Sequence, residues 1–136
     1  MTFGADSTVT DTAALRVAVM PTMGCMPLYY AARCGLADSM GLKIELLRFH
    51  AQMDVDTAIL HERADIAYTD LIRAERLAKD VSLKPFAATG EPLSLISLKT
   101  KRVKRIDQMK EQMVAISRLS ATDYWCDHLL DSTQTS

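Results

Sequence analysis

Apolar positions recur along this chain in two alternating rhythms. Residues 15–20, "LRVAVM", and residues 43–49, "KIELLRF", are short β-branched and aliphatic runs of the kind strands use, each followed by turn-like or polar residues. Between them, "PLYYAARCGLADSMG" carries Leu28, Ala31, Ala32 and Leu36 at helical spacing, with Pro27 suited to a first helical turn and Gly35 and Gly41 suited to helix endings. Strand, helix and strand in that order make a βαβ unit. The rhythm then repeats. "DVDTAILHERA" offers Val55, Ile59 and Leu60 on one helical face, "DIAYT" is a short buried strand, and "DLIRAERLAKD" is amphipathic through Leu71, Ile72, Ala74, Leu77 and Ala78. Such alternation predicts an α/β fold with a parallel-rich sheet flanked by helices.

After residue 80 the character changes. "LKPFAATGEPLSLISLKT" holds two extended runs around the turn signal "TGEP", and both read as strands, the second leading out of the first sheet. The charge run "KTKRVKRIDQMKEQ" reads as a solvated connection and a short amphipathic helix. A phosphate or membrane patch is the sharper reading, set against the acidic residues that interrupt the run. A further strand, "MVAIS", and a helix, "ATDYWCDHLLD", complete the pattern.

Composition bounds the answer without naming a partner. The chain has 136 residues, 49% hydrophobic and 24% charged, with a net charge of −1. That is the profile of one globular domain rather than of a nucleic-acid binder or a disordered chain. No apolar run approaches the roughly 20 residues that cross a bilayer. The opening "MTFGADSTVTDTAAL" has neither a basic n-region nor an apolar h-region, and it reads as a flexible tail over residues 1–14; removal of a leader leaves the same trace.

In an open parallel sheet, ligands bind at the carboxyl ends of the strands. That rule selects "PTMGCMP", "HAQMD", "TD" and "SRLSAT". Thr22, Gly24 and Cys25 offer backbone N–H groups and a hydroxyl near a helix start, which favours an anionic or carbonyl group. Asp70, after Thr69, is placed to cap a helix. Ser120 with Asp123 has capping-box spacing, and Ser117, Ser120 and Thr122 are otherwise donors for a ligand. Cys25, Cys34 and Cys126 are odd in number without CxxC spacing, which argues against a disulfide framework and a structural zinc site. Cys34 and Cys126 read as buried or half-buried thiols among apolar helix residues, and Cys25 stands apart in a loop. Met23, Cys25, Met26 and His50 are ligand types that copper(I) prefers, yet no regular Met series accompanies them, so no metal is assigned. His61 reads as solvent-facing and His128 as structural. There is no GxSxG elbow, P-loop or GxGxxG after a strand; a Cys25–His50 nucleophilic pair is compatible with the sequence and required by nothing in it. The reading is of a non-enzymatic chain with no cofactor.

The order of these motifs resembles the type II periplasmic substrate-binding proteins of the nitrate, sulfonate (taurine) and thiamine-precursor ABC transporter group. The residues that carry the resemblance are "PLYYA", "GLKIEL", "ADIAYTD" and "IDQMKEQMVAISRLSATDY", over residues 15–131. Two positions depart from the group's pattern: "GLADSMG" replaces its usual aromatic glycine motif, and "HERADI" stands where a glycine is common. The resemblance implies a solute receptor that holds a small organic or anionic ligand in an interlobe cleft and docks on a transporter permease, in the periplasm or cell envelope, lipid-anchored or free. It implies ligand contacts at Thr22, Met23, Gly24, Cys25, Met26, His50, Ala51, Gln52, Thr69, Asp70, Thr89, Gly90, Ser117, Ser120 and Thr122. Residues 15–98 would then be the first lobe with its hinge strand. Residues 99–136 would be the crossover and the truncated start of the second lobe, which lacks roughly 100 to 150 further residues. In that case residues 113–131 add to the edge of the first sheet or pair with another copy. Two other readings of the same scaffold stand beside it. One is an enzyme of the menaquinone-pathway or thiamine-pyrimidine type, and the other is the effector-binding lobe of a transcriptional regulator.

Overall fold

The computed structural model describes residues 13–110 and 112–134, which divide between Tyr68 and Thr69 into two units. The expected tail over residues 1–14 lies, except for exposed Ala13 and Ala14, outside the described residues.

The first apolar run folds as β1, Leu15–Val19. It pairs in parallel with β2, Ile44–Arg48, from Leu15 beside Ile44 to Val19 beside Arg48. On its other side it pairs in parallel with β3, Ile66–Ala67, giving the order β2-β1-β3. The middle strand of a parallel sheet packed by helices is apolar on both faces, and Val17, Ala18 and Val19 are accordingly buried. Successive side chains alternate between faces. Val17 and Val19 gather Cys25, Leu28, Tyr29, Ile44, Leu46, Ile66 and Tyr68 on one of them. Ala18 points the other way, where α3, Gln52–Leu60, lies against β1 and β3 and buries Val55, Ala58 and Ile59 at i, i+3, i+4. Each fully buried valine contributes about 2 kcal/mol of transfer free energy. Val55 and Ile59 are buried as expected, and Ala58 is inside in place of Leu60, which is exposed.

The expected single helix between β1 and β2 is two, α1, Met26–Arg33, and α2, Leu36–Ser39. Pro27 stands in the first turn of α1, where its missing N–H costs nothing. Gly35 separates the helices at φ 65°, a left-handed state that glycine enters without a Cβ clash. At the amino edge of the sheet, Arg16 and Asp65 form a bidentate latch between β1 and the approach to β3. Arg16 Nη2 lies 2.8 Å from Asp65 Oδ1, and its Nε and backbone N–H both donate to Oδ2 at 3.1 and 2.9 Å.

In the second unit, α4, Leu71–Leu77, and α5, Ala121–Gln134, are the regular elements, with short 3₁₀ turns at Lys99–Lys101 and Ile106–Met109. Two sequence expectations fail here. The buried face of α4 is Arg73 with Leu77, whereas Leu71 is exposed. The strands expected over residues 83–100 and 113–117 do not form: among the described residues neither run has a ladder partner, and the only strands are β1, β2 and β3. Their composition suits a sheet, but a strand exists only beside another strand. Most of their large apolar side chains stand in solvent instead, with Ile96 95% and Met113 102% exposed, while Leu83 and Ile116 are half-buried. Residues 113–117 therefore add no strand to the three-stranded sheet.

Candidate functional site

The sheet order determines where a ligand site can lie in the first unit. From β1 the chain moves through α1 and α2 to β2 on one side, and from β2 it returns through α3 past β1 to β3 on the other. Right-handed crossovers put α1 and α3 on opposite faces of the sheet. The switch point of this order lies between β1 and β3, and the carboxyl ends of all three strands share the edge at which open α/β sheets bind ligands; the exposed polar groups described next belong to the β1 and β2 ends of that edge.

The β1 end is shaped by a short turn. Thr22 N–H donates to Met20 O at 2.8 Å, and a 3₁₀ turn at Met23–Cys25 follows, with Cys25 N–H donating to Thr22 O at 3.2 Å. This winding carries Cys25 inward. It is fully buried among Val17, Val19 and their neighbours, and Gly24 is buried beside it. Thr22, Met23 and Met26 remain exposed, so they form the solvent side of this loop. Two of the three cysteines thus reverse the sequence expectation. The loop thiol Cys25 is in the core, the helix thiol Cys34 is exposed, and Cys126 is buried as expected, its pKa raised by desolvation and then by Asp127 and Asp123. Burial of Cys25 removes it from both the ligand-facing loop and the nucleophilic pair with His50.

The β2 end adds Phe49, whose N–H donates to Val19 O at 2.9 Å, and then His50 and Ala51, both exposed, and Gln52, half-buried at the start of α3. It also supplies a residue that the sequence reading missed. Arg48, the last residue of β2, lies level with Val19 and shares the face of Ile44 and Leu46. Its guanidinium carbon sits 5.5 Å from the centroid of the Tyr29 ring, a cation–π arrangement. The Tyr29 hydroxyl in turn donates to Met20 O at 3.3 Å. A solvent-exposed cation is thereby held next to the turn that carries Thr22 and Met23. The available signal was its place at the end of a strand, where a charge interrupts an apolar alternation.

The remaining candidates lie in the second unit, where Asp70 and Ser120 are engaged with its own backbone. Asp70 Oδ1 accepts from Arg73 N–H at 3.0 Å, which caps α4, and from Ala121 N–H at 3.2 Å, which caps α5. One carboxylate therefore serves two helix starts. Ser120 is buried; its hydroxyl donates to Ser117 O and accepts from Asp123 N–H at 3.4 Å, so the expected capping role is the one observed. The Asp123 carboxylate reaches back to Leu119 N–H at 2.6 Å. Buried Arg73 donates through Nη2 to Ser117 Oγ at 3.3 Å and to Arg118 O at 2.8 Å, with Nε 3.6 Å from Asp70 Oδ2. Thr69 and Thr122 are half-buried, Thr89 is exposed, and exposed Gly90 takes φ 63° within the "TGEP" stretch. His61 is exposed as expected, and exposed His128 stacks on Tyr124 one turn earlier, with centroids 6.4 Å apart. Among the described residues no group of three or more His, Cys, Asp or Glu side chains is placed to hold a metal ion. No described helix is long and apolar enough to cross a membrane.

The chemistry these positions support differs between the units. The Asp70, Arg73 and Ser120 network in the second is committed to helix ends. The first presents a hydroxyl, a flexible methionine pair, an imidazole and a guanidinium at the carboxyl ends of two adjacent parallel strands. Such a set can hold an anionic or carbonyl-bearing solute. Compared with known proteins, the chain matches no protein-family model, no curated protein and no solved structure.

Proposed function

We propose that the chain is a solute-binding component of an ABC importer, acting in the periplasm or cell envelope. It holds a small anionic organic ligand at the carboxyl ends of β1 and β2 and docks on a permease. One observation carries the reading: the Arg48 guanidinium, braced on Tyr29, stands at the end of β2 beside the exposed turn that follows β1. An exposed cation braced on an aromatic face can be shared with a ligand anion at low ordering cost, because the side chain is already held. Thr22 and His50 add donors, and Met23 and Met26 add an adaptable apolar wall. The type II binding-protein lobe is the finer fold that this reading carries with it.

A thermal-shift and calorimetric screen of the chain against taurine, other alkylsulfonates, nitrate and small carboxylates tests the reading. At least one anion is expected to raise the melting temperature, and Arg48→Ala is expected to weaken its binding by about tenfold or more, in line with a charge-assisted hydrogen bond. Failure of every anion to shift the protein, or binding unchanged in Arg48→Ala, overturns it.

A further inference from the structure

The charge run after residue 98 is more than a solvated connection. Over residues 92–106 the sequence carries five cations, Lys99, Lys101, Arg102, Lys104 and Arg105, and no acidic residue, in a chain whose net charge is −1. The structure closes this run into a loop. Ser97 Oγ donates to Val103 O at 2.9 Å, Lys101 N–H donates to Leu98 O at 2.9 Å, and Arg102 N–H donates to Lys99 O at 3.3 Å. Arg102 takes φ 52°, the left-handed region that normally favours glycine, to complete the bend. Arg105 is turned onto Asp107, with Nε 2.9 Å from Oδ1. Among the described residues no carboxylate pairs with Lys99, Lys101, Arg102 or Lys104, and all four are exposed.

Beside these cations stand aliphatic side chains that water should not face. Leu93, Leu95, Ile96 and Leu98 are all exposed, Ile96 at 95% and Leu98 at 71%. A closed loop whose cations have no partner among the described carboxylates, next to exposed aliphatic groups, matches a surface that is itself anionic outside and apolar a few ångströms beneath. We propose that residues 93–104 form a peripheral docking surface for an anionic lipid bilayer, with Lys99, Lys101, Arg102 and Lys104 at the phosphate level and Ile96 and Leu98 entering the headgroup boundary. The aliphatic content favours a bilayer over a nucleic acid. Single strands are held by stacking on aromatic rings, and the sequence has no aromatic residue between Phe86 and Tyr124.

Vesicle sedimentation and surface plasmon resonance on phosphatidylcholine bilayers, with and without phosphatidylglycerol, test this surface with the whole chain. Binding is expected only when phosphatidylglycerol is present and is expected to fall steeply as salt rises from about 0.05 to about 0.5 M. Each cation near such a surface is worth about fivefold in partitioning, so K101E/R102E is expected to lose about twentyfold or more. I96S/L98S is expected to weaken binding several-fold at every salt concentration. K79E/K84E makes the same change in net charge outside the loop and is expected to retain binding within about threefold. Circular dichroism of each variant checks that the fold is retained. Four results overturn the proposal: no phosphatidylglycerol dependence, full binding by K101E/R102E, an equal loss in K79E/K84E, or tighter binding to a mixed-sequence DNA duplex at the same salt.

Discussion

Individual side chains in this protein are governed by what the backbone leaves for them to do, and the cysteines make the point. Cys25 is drawn into the core by the 3₁₀ turn that follows β1, whereas Cys34, at the end of a helix with no buried residue, is exposed. A thiol reagent such as DTNB is therefore expected to titrate one group per native chain, at Cys34, and all three after denaturation; Cys34→Ser should leave the native protein unreactive. The Arg16–Asp65 latch gives a second test. Hydrogen bonds from the Arg16 side chain and backbone hold the Asp65 carboxyl at about 2, below its usual 3.8. A carboxylate whose pKa is depressed in the folded state stabilises that state above its unfolded pKa, and the contribution disappears as pH falls through the folded value. The melting temperatures of the wild type and Asp65→Asn are thus expected to differ at neutral pH and to converge between about pH 4 and pH 2.

Secondary elements show how far local pattern reaches. The βαβ units were legible because β1, β2 and β3 carry their own apolar signal and find each other across helical connections of ordinary length. The runs at residues 83–100 and 113–117 carry a similar signal without a partner strand among the described residues, and composition alone cannot report a pairing. The face of α4 was misread for a related reason. Arg73 counts as polar in any periodicity, yet here its hydrogen bonds to Arg118 O and Ser117 Oγ allow it to be buried in place of Leu71. The capping residues were legible because Asx and Ser side chains act on backbone only a few positions away. What was hidden is that Asp70 also caps α5, from 51 residues earlier in the chain. Asp70→Ala removes the cap of α4 and the second hydrogen bond at the start of α5, where Ser120 still caps, and is expected to cost about 1 to 2 kcal/mol, measured by urea unfolding followed by circular dichroism. Asp70→Asn, which keeps an acceptor oxygen, should recover more than half of that loss.

For the molecule as a whole, the carboxyl-end rule located the loops of the candidate site, and Thr22, Met23, Met26 and His50 are exposed there. Arg48 escaped it because the rule points to loops, and this cation belongs to a strand. The sheet order has a further consequence, in time rather than in space. β1 and β2 meet across about 30 residues, while β3 and the Arg16–Asp65 latch join residues 49 apart. Closing the shorter connection loses less chain entropy, so β1, α1 and β2 are expected to come together first and the latch last. An interaction formed after the rate-limiting step affects escape from the native state rather than entry into it. Stopped-flow circular dichroism should therefore find Asp65→Asn unfolding faster than the wild type and refolding at a rate within about twofold of it. In that order of events the ion pair at the edge of the sheet sets how long the first unit stays folded and has little effect on how quickly it forms.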